Sequence, residues 1–222
     1  MKRNVDISEI SDGRLYSSND MVKADTGGCI GCSACCHGMG DTIILDPYDA
    51  ARLCGALQVS FEELLQNNAQ LNVVDGIILP NLKMEGEEQA CTFLNKDGRC
   101  RIHRARPGVC RLFPLGRYYE GRDFRYFLQI HECQKPGRAK VKIKKWVDTP
   151  QLAVYEEYIR SWHYFLEDAQ HILDQSSNDA LRKQVNMYLL QQFYFKPWEN
   201  GPDFYLQFAE RLQEGKRYLG LG

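Results

Sequence analysis

Cys29, Cys32, Cys35 and Cys36 form a Cys-x-x-Cys-x-x-Cys-Cys run, four thiols within eight residues and two of them adjacent. Packing has no use for thiols at this density. A thiolate is a ligand for zinc, for copper(I) and for the iron of an iron–sulfur cluster. Spacing of two residues lets Cys29, Cys32 and Cys35 reach one centre from a single tight loop, and Gly27, Gly28, Gly31 and Gly38 supply the backbone freedom for it. The run is like the start of bacterial ferredoxin clusters, in which a distant fourth cysteine completes the set. Here the fourth cysteine is adjacent. Neighbouring side chains diverge, so Cys36 either serves a second centre or replaces a member of the trio.

Five more cysteines lie at 54, 91, 100, 110 and 133, and none follows. Cys91, Cys100, Cys110 and Cys133 each sit by a turn or a proline, where irregular backbone can aim a ligand inward. With the opening four they make eight thiols, enough for two four-ligand centres or for one centre and several structural thiols. Cys54 lies among alanine and leucine in an expected helix and reads as a small buried hydrophobe. His37 and His103 are placed to be ligands or to support ligands, and an ordinary hydrogen-bonded histidine fits either position equally. His131 stays open. His163 and His171 fall in a C-terminal helix and read as structural or exposed. Asp41 and Asp46 offer oxygen, although Asp46 is already placed to cap a helix. A vicinal Cys35–Cys36 disulfide would be strained.

The elements that must position these residues are short in the first half of the chain. Thr42–Leu45 is a β-like run. Asp46-Pro47 predicts an N-cap and a helix to about Leu57. Ser60 with Glu63 predicts a capping box, with Val59 stapling onto Leu64. Asp75-Gly76 between β-branched residues predicts a hairpin. A second hairpin, Cys91–His103, turning at Asn95–Gly98, would bring Cys91 and Cys100 together. A third pairs Leu115–Tyr119 with Phe124–Ile130. From Thr149-Pro150 the period turns helical, with Tyr155, Tyr158, Ile159, Trp162, Phe165 and Leu166 on one face. Further helices are expected over 179–195 and 203–218. The fold class expected is α+β: a lead-in (1–27) read as loose, a small cysteine-rich metal-binding unit (28–140) with short hairpins and two helices, and a helical C-terminal extension (141–222) packing on it.

At 222 residues, with 44% apolar and 26% charged residues, the composition is that of a globular chain with one sizeable core. The polar N-terminus has no apolar signal region, and no apolar run reaches the roughly 20 residues of a membrane span, so a cytosolic protein is expected. Disulfides are rare in that compartment, which favours metal or redox chemistry for nine cysteines. The net charge of −1 conceals a basic block: residues 101–145 hold 13 bases against 3 acids. Such a block balances an anionic thiolate site, or binds an anionic substrate or nucleic acid. Phe113, Tyr118, Tyr119 and Phe124 interleave with those bases, as in single-strand binders, but also alternate as strand core does. The late aromatics from Tyr188 to Phe208 read as core.

With these residues in view, the chain resembles the CxxCxxCC, or YkgJ-like, cysteine-cluster family of zinc- or iron-chelating domains. The resemblance covers about residues 28–137. It rests on Cys29–Cys36, Cys91, Cys100-Arg101-Ile102-His103, Arg104-Ala105-Arg106-Pro107-Gly108-Val109-Cys110, Phe113-Pro114 and Cys133. It implies metal binding through Cys29, Cys32, Cys35, Cys36, Cys91, Cys100, Cys110 and Cys133. A related family with a similar cysteine pattern methylates protein lysines, so methyl transfer stays in view. The Cys-x3-Cys-x2-Cys motif of radical adenosylmethionine enzymes is absent, because Met39 stands where its third cysteine would be. The functional expectation is an iron–sulfur protein, with one or two clusters of the 4Fe–4S type and a redox or catalytic role on a small-molecule or protein substrate. A structural zinc module and a mononuclear or dinuclear iron enzyme are the alternatives. Nucleic acid is a further candidate partner, and a membrane is not.

Overall fold

The computed structural model describes residues 6–27, 32–199 and 203–221, and the fold is α+β. In chain order its elements begin with α1 (Ile7–Ile10), β1 (Met21–Asp25), α2 (Pro47–Leu57), α3 (Phe61–Asn67), β2 (Ala69–Val74) and β3 (Ile77–Leu82). Next come β4 (Met84–Glu85), β5 (Ala90–Cys91), α4 (Gly108–Leu112), β6 (Leu115–Glu120), β7 (Asp123–Leu128) and β8 (Ala139–Lys142). The helices α5 (Ile143–Val147), α6 (Leu152–Asp174), α7 (Asp179–Leu190) and α8 (Phe204–Tyr218) follow. The strands pair antiparallel as β1–β8, β2–β3, β4–β5 and β6–β7. Among the described residues no helix is long and apolar enough to cross a membrane.

Contacts divide the chain into two compact units, Ile44–Leu82 with Ala153–Gly222, and Lys2–Ile43 with Lys83–Leu152. The first unit is the helical one. Asp46 caps α2 by accepting the Asp49 N–H at 2.8 Å, and Ser60 and Glu63 form the expected capping box on α3. The β2–β3 turn is Asp75-Gly76, both at positive φ (50° and 81°), which a two-residue hairpin of the primed type demands. Long-range polar bonds fasten these elements to the late helices. The Tyr194 hydroxyl donates to the Leu45 carbonyl at 3.0 Å. Asn186 accepts from the Ile78 N–H at 2.6 Å and donates to the Gly76 carbonyl at 3.2 Å. Leu45, Leu53, Leu64, Tyr155, Phe165 and Phe193 are fully buried in this unit's core. The stretch expected as one helix over 179–195 passes from α into a wider π-helical segment at Gln191–Phe195, which buries Phe193 and Tyr194.

The second unit carries the cysteines. Its principal hairpin, β6–β7, runs in register from Leu115↔Leu128 to Glu120↔Asp123 and turns at Gly121-Arg122, both at positive φ. Trp146 of α5 donates its indole N–H to the Leu112 and Phe113 carbonyls at 3.3 and 3.1 Å, which fixes the end of α4. Two expectations need correction here. Residues 6–27 are not a loose lead-in: they form α1 and β1, and Tyr16 exchanges backbone hydrogen bonds with Tyr126 at 2.8 and 2.9 Å. β1 pairs with β8, more than a hundred residues downstream in the sequence, and that pairing is what orders it. Nor is Cys91–His103 one continuous hairpin. Cys91 pairs with Met84 in β4–β5, and a separate bridge joins Leu94 to Cys100.

Candidate metal centre

Three stretches of the second unit converge. The first is the single 3-10 turn Ala34–Cys36, closed by the Cys36 N–H donating to the Ser33 carbonyl at 2.8 Å. The chain then runs extended, and His37 bridges to Ala90 while the Gly38 N–H donates to the Gln89 carbonyl at 2.9 Å. Cys35 and Cys36 are thus tied by backbone to the strand that ends in Cys91.

The second stretch is the Asn95–Gly98 turn. The Asn95 side chain accepts the N–H groups of Asp97 and Arg99 at 3.1 and 2.7 Å, and Gly98 takes φ 68° to close the turn. Cys91 and Cys100 flank it, because the Leu94 N–H donates to the Cys91 carbonyl at 2.8 Å and Leu94 bridges to Cys100. The third is α4, which starts after Pro107 and carries Cys110.

The thiols of these stretches feel one another. Cys36 donates to Cys35, and this hydrogen bond brings the Cys35 thiol down to about 7, with Arg106 and His37 assisting. The same bond, then burial, then the charges of Cys35, Cys91 and Cys110 push Cys36 far up. The adjacent pair therefore shares one proton, with Cys35 the better anion. Burial, then the neighbouring thiols, raises Cys91 and Cys100, while Arg101 acts against the rise at both and Arg106 at Cys100. His103 is pushed down by burial and by Arg106 and Arg99. Its Nε2 accepts from the Arg106 guanidinium at 2.6 Å, as a neutral imidazole must.

Of the eight residues expected as ligands, backbone ties place Cys35 and Cys36 beside the strand of Cys91 and Cys91 beside Cys100, and the charge of Cys110 reaches Cys36. Cys32 is a free, half-buried thiol just before the 3-10 turn, and Cys133 is a free, half-buried thiol after the Ile130–Glu132 turn. Cys29 lies outside the described residues. No disulfide joins the described cysteines, so the vicinal Cys35–Cys36 bond is not formed. No three or more His, Cys, Asp or Glu among the described residues stand ready-arranged around a single ion. Cys54 is in α2 of the other unit, where burial first and Glu62 second push its thiol up to about 11. His37 is oriented by Nδ1, which donates to the Ser33 carbonyl at 3.0 Å, and its Nε2 faces Glu88 at 3.8 Å. Sequence reasoning missed Arg106 as an individual. Its signal was the arginine-rich run that starts directly after Cys100.

The donor set is soft and thiol-dominated, with guanidinium groups beside it, which suits thiophilic metals and disfavours magnesium or calcium. Comparison with known proteins agrees at this level. Residues 28–136 match the family model CxxCxxCC, described as "Putative zinc- or iron-chelating domain". A stretch of 87 residues is 34% identical to "Uncharacterized protein MJ0661" of Methanocaldococcus jannaschii, covering 39% of this chain and 43% of that one. The chain thus spans less than half the length of this relative. No solved structure matches.

Proposed function

From a chain whose residues 28–136 match the CxxCxxCC family model, we propose that the protein binds an iron–sulfur cluster through its clustered cysteines and serves a redox or catalytic role. The observation that carries the reading is the backbone tie of the Cys35–Cys36 loop to the strand of Cys91, through the His37–Ala90 bridge and the Gly38–Gln89 hydrogen bond, with Cys100 across the adjoining turn. Adjacent arginines favour the deprotonated thiols that a cluster needs. Cys29, Cys32 and Cys133 are the remaining donors of the proposed set. When bound, such a cluster supplies one-electron chemistry at a potential tuned by its hydrogen bonds and exposure. The chain's own contribution is positional. The Gly38–Gln89 tie and the Asn95 turn hold two ligand segments side by side, and Arg106 and Arg101 hold positive charge against them.

A structural zinc module is the second reading, and the family description favours it equally because it names either metal. Purification without oxygen, followed by iron, zinc and acid-labile sulfide analysis, separates the two. The iron–sulfur reading expects a brown protein with comparable iron and sulfide and a visible absorption that bleaches on reduction. Colourless protein carrying zinc and no sulfide would replace it with the zinc reading. Transfer of methyl groups to protein lysine is tested by the same preparation with adenosylmethionine and a lysine-rich protein.

A further inference from the structure

The cysteine-bearing unit contains a cavity of about 710 Å³ that none of the proposed metal ligands lines. Arg14, Lys23, Lys135, Arg138 and Lys140 line it, against Asp12 as the one acid among the described lining residues. Asp12 is already engaged, since its carboxylate accepts from the Tyr16 hydroxyl and the Arg14 N–H. Met21, on the same face of β1 as Lys23, and the half-buried Ile130 supply the apolar part of the lining.

Two details separate this arrangement from an ordinary basic surface. Lys23 and Lys140 are direct partners across the antiparallel β1–β8 pair. Directly opposed residues have Cβ atoms about 5 Å apart, and like charges so placed destabilise the sheet. The fold therefore holds a repulsive pair in the lining of a cavity, the reverse of what charge balance within the sheet would select. In addition, Nη1 of Arg138 is buried and has no hydrogen-bond partner among the described residues. A buried guanidinium nitrogen without an acceptor costs free energy until one arrives.

We propose that this cavity is a binding site for a small organic phosphate. The phosphate would lie between Lys23 and Lys140 and accept from Arg138, with the organic body against Met21 and Ile130. The volume falls within the roughly 300–1,000 Å³ of small-molecule sites. A nucleic-acid groove is the poorer fit, because Tyr16 is the only aromatic among the described lining residues and single-strand binders stack successive bases. The inference does not depend on which metal the cysteines hold.

The test is thermal melting and calorimetry of the full chain with millimolar AMP, ribose phosphate and a hexose bisphosphate. Adenosine and a short single-stranded oligonucleotide are the comparisons. At least one of the phosphates should raise the melting temperature by about 3 °C or more, and adenosine should not. Lys23→Gln and Lys140→Gln should each remove that rise, and without ligand each should melt no lower than the parent protein. Lys183→Gln, on α7 of the other unit, should keep the rise. The proposal fails if none of the three phosphates shifts the melt. It fails equally if the shift survives in both cavity variants, or if only the oligonucleotide binds.

Discussion

The Gly38 N–H donates to the Gln89 carbonyl at 2.9 Å, and this bond ties the loop of Cys35 and Cys36 to the hairpin of Cys91. Gly38 sits at φ 66°, and a Cβ added there meets nothing within 4 Å. The cost of Gly38→Ala is thus conformational alone, about 1–2 kcal/mol for a left-handed non-glycine residue. Urea unfolding should show the midpoint fall by that free energy divided by the slope m, with m unchanged. An unchanged midpoint would mean that the tie does not constrain the loop.

Ligand variants distinguish the convergent thiols from the bystander. Cys91→Ala, Cys100→Ala and Cys110→Ala should each release most of the bound metal, because a four-ligand thiolate centre does not tolerate an open position without loss of affinity. Cys54→Ala, in the other unit, should retain it all. Metal analysis after desalting reads the difference. Equal retention in all four variants would exclude these cysteines as ligands.

Thiol reactivity in metal-free, reduced protein should follow the two shifted pKa values. Cys35 is brought down to about 7 by the Cys36 hydrogen bond, so its thiolate is the majority form above that pH. Burial pushes Cys54 up to about 11, so its thiolate grows roughly tenfold per pH unit from neutrality until that point. At pH 8, alkylation followed by peptide mass spectrometry should find Cys35 modified well before Cys54. Raising the pH should speed Cys54 much more than Cys35.

Much of this was readable from residue order because the signals were local. The Asp46 cap, the Ser60–Glu63 box and the Asp75-Gly76 turn each operate within four residues, and each formed as read. The α6 face was readable from its period, and Tyr155, Tyr158, Trp162 and Phe165 are buried. β1 was not readable, because Met21–Asp25 is a short charged segment whose order comes from β8. The attachment of 44–82 to the late helices depends on Tyr194 and Asn186, whose partners lie more than a hundred residues away. At the metal centre, spacing identified the thiols, but which of them share a proton depends on how the loop, the turn and α4 meet in space.

Gly116 shows how closely β6 and β7 approach. It faces Phe127 across the strand pair, and an added Cβ would fall 2.3 Å from the Phe127 ring. The ring covers the glycine as a side chain at that position would. Gly116→Ala should therefore cost about 1–3 kcal/mol by overpacking, read as a lower urea midpoint. Gly121→Ala, in the turn of the same hairpin, has nothing within 4 Å and should cost only its backbone strain at φ 59°. Combining Gly116→Ala with Phe127→Leu should recover part of the loss, because the shorter side chain vacates the space.

Arg211 is the strongest single test of the helical unit. It is nearly fully buried, its guanidinium carbon lies 3.7 Å from the Trp198 ring centroid, and its nitrogens donate to the carbonyls of Gln192, Lys196 and Pro197. These carbonyls lie at and after the π-helical segment Gln191–Phe195, where the backbone leaves its helix. The arginine of α8 thus supplies donors that the interrupted helix lacks. Arg211→Met keeps much of the packing and removes all three donors, and should cost about 3 kcal/mol. Arg211→Lys keeps the charge but loses the planar fork and its stacking on Trp198, so it should recover less than half of that loss. Full recovery in the lysine variant would show that charge, and not the fork of donors, holds this end of α8 in place.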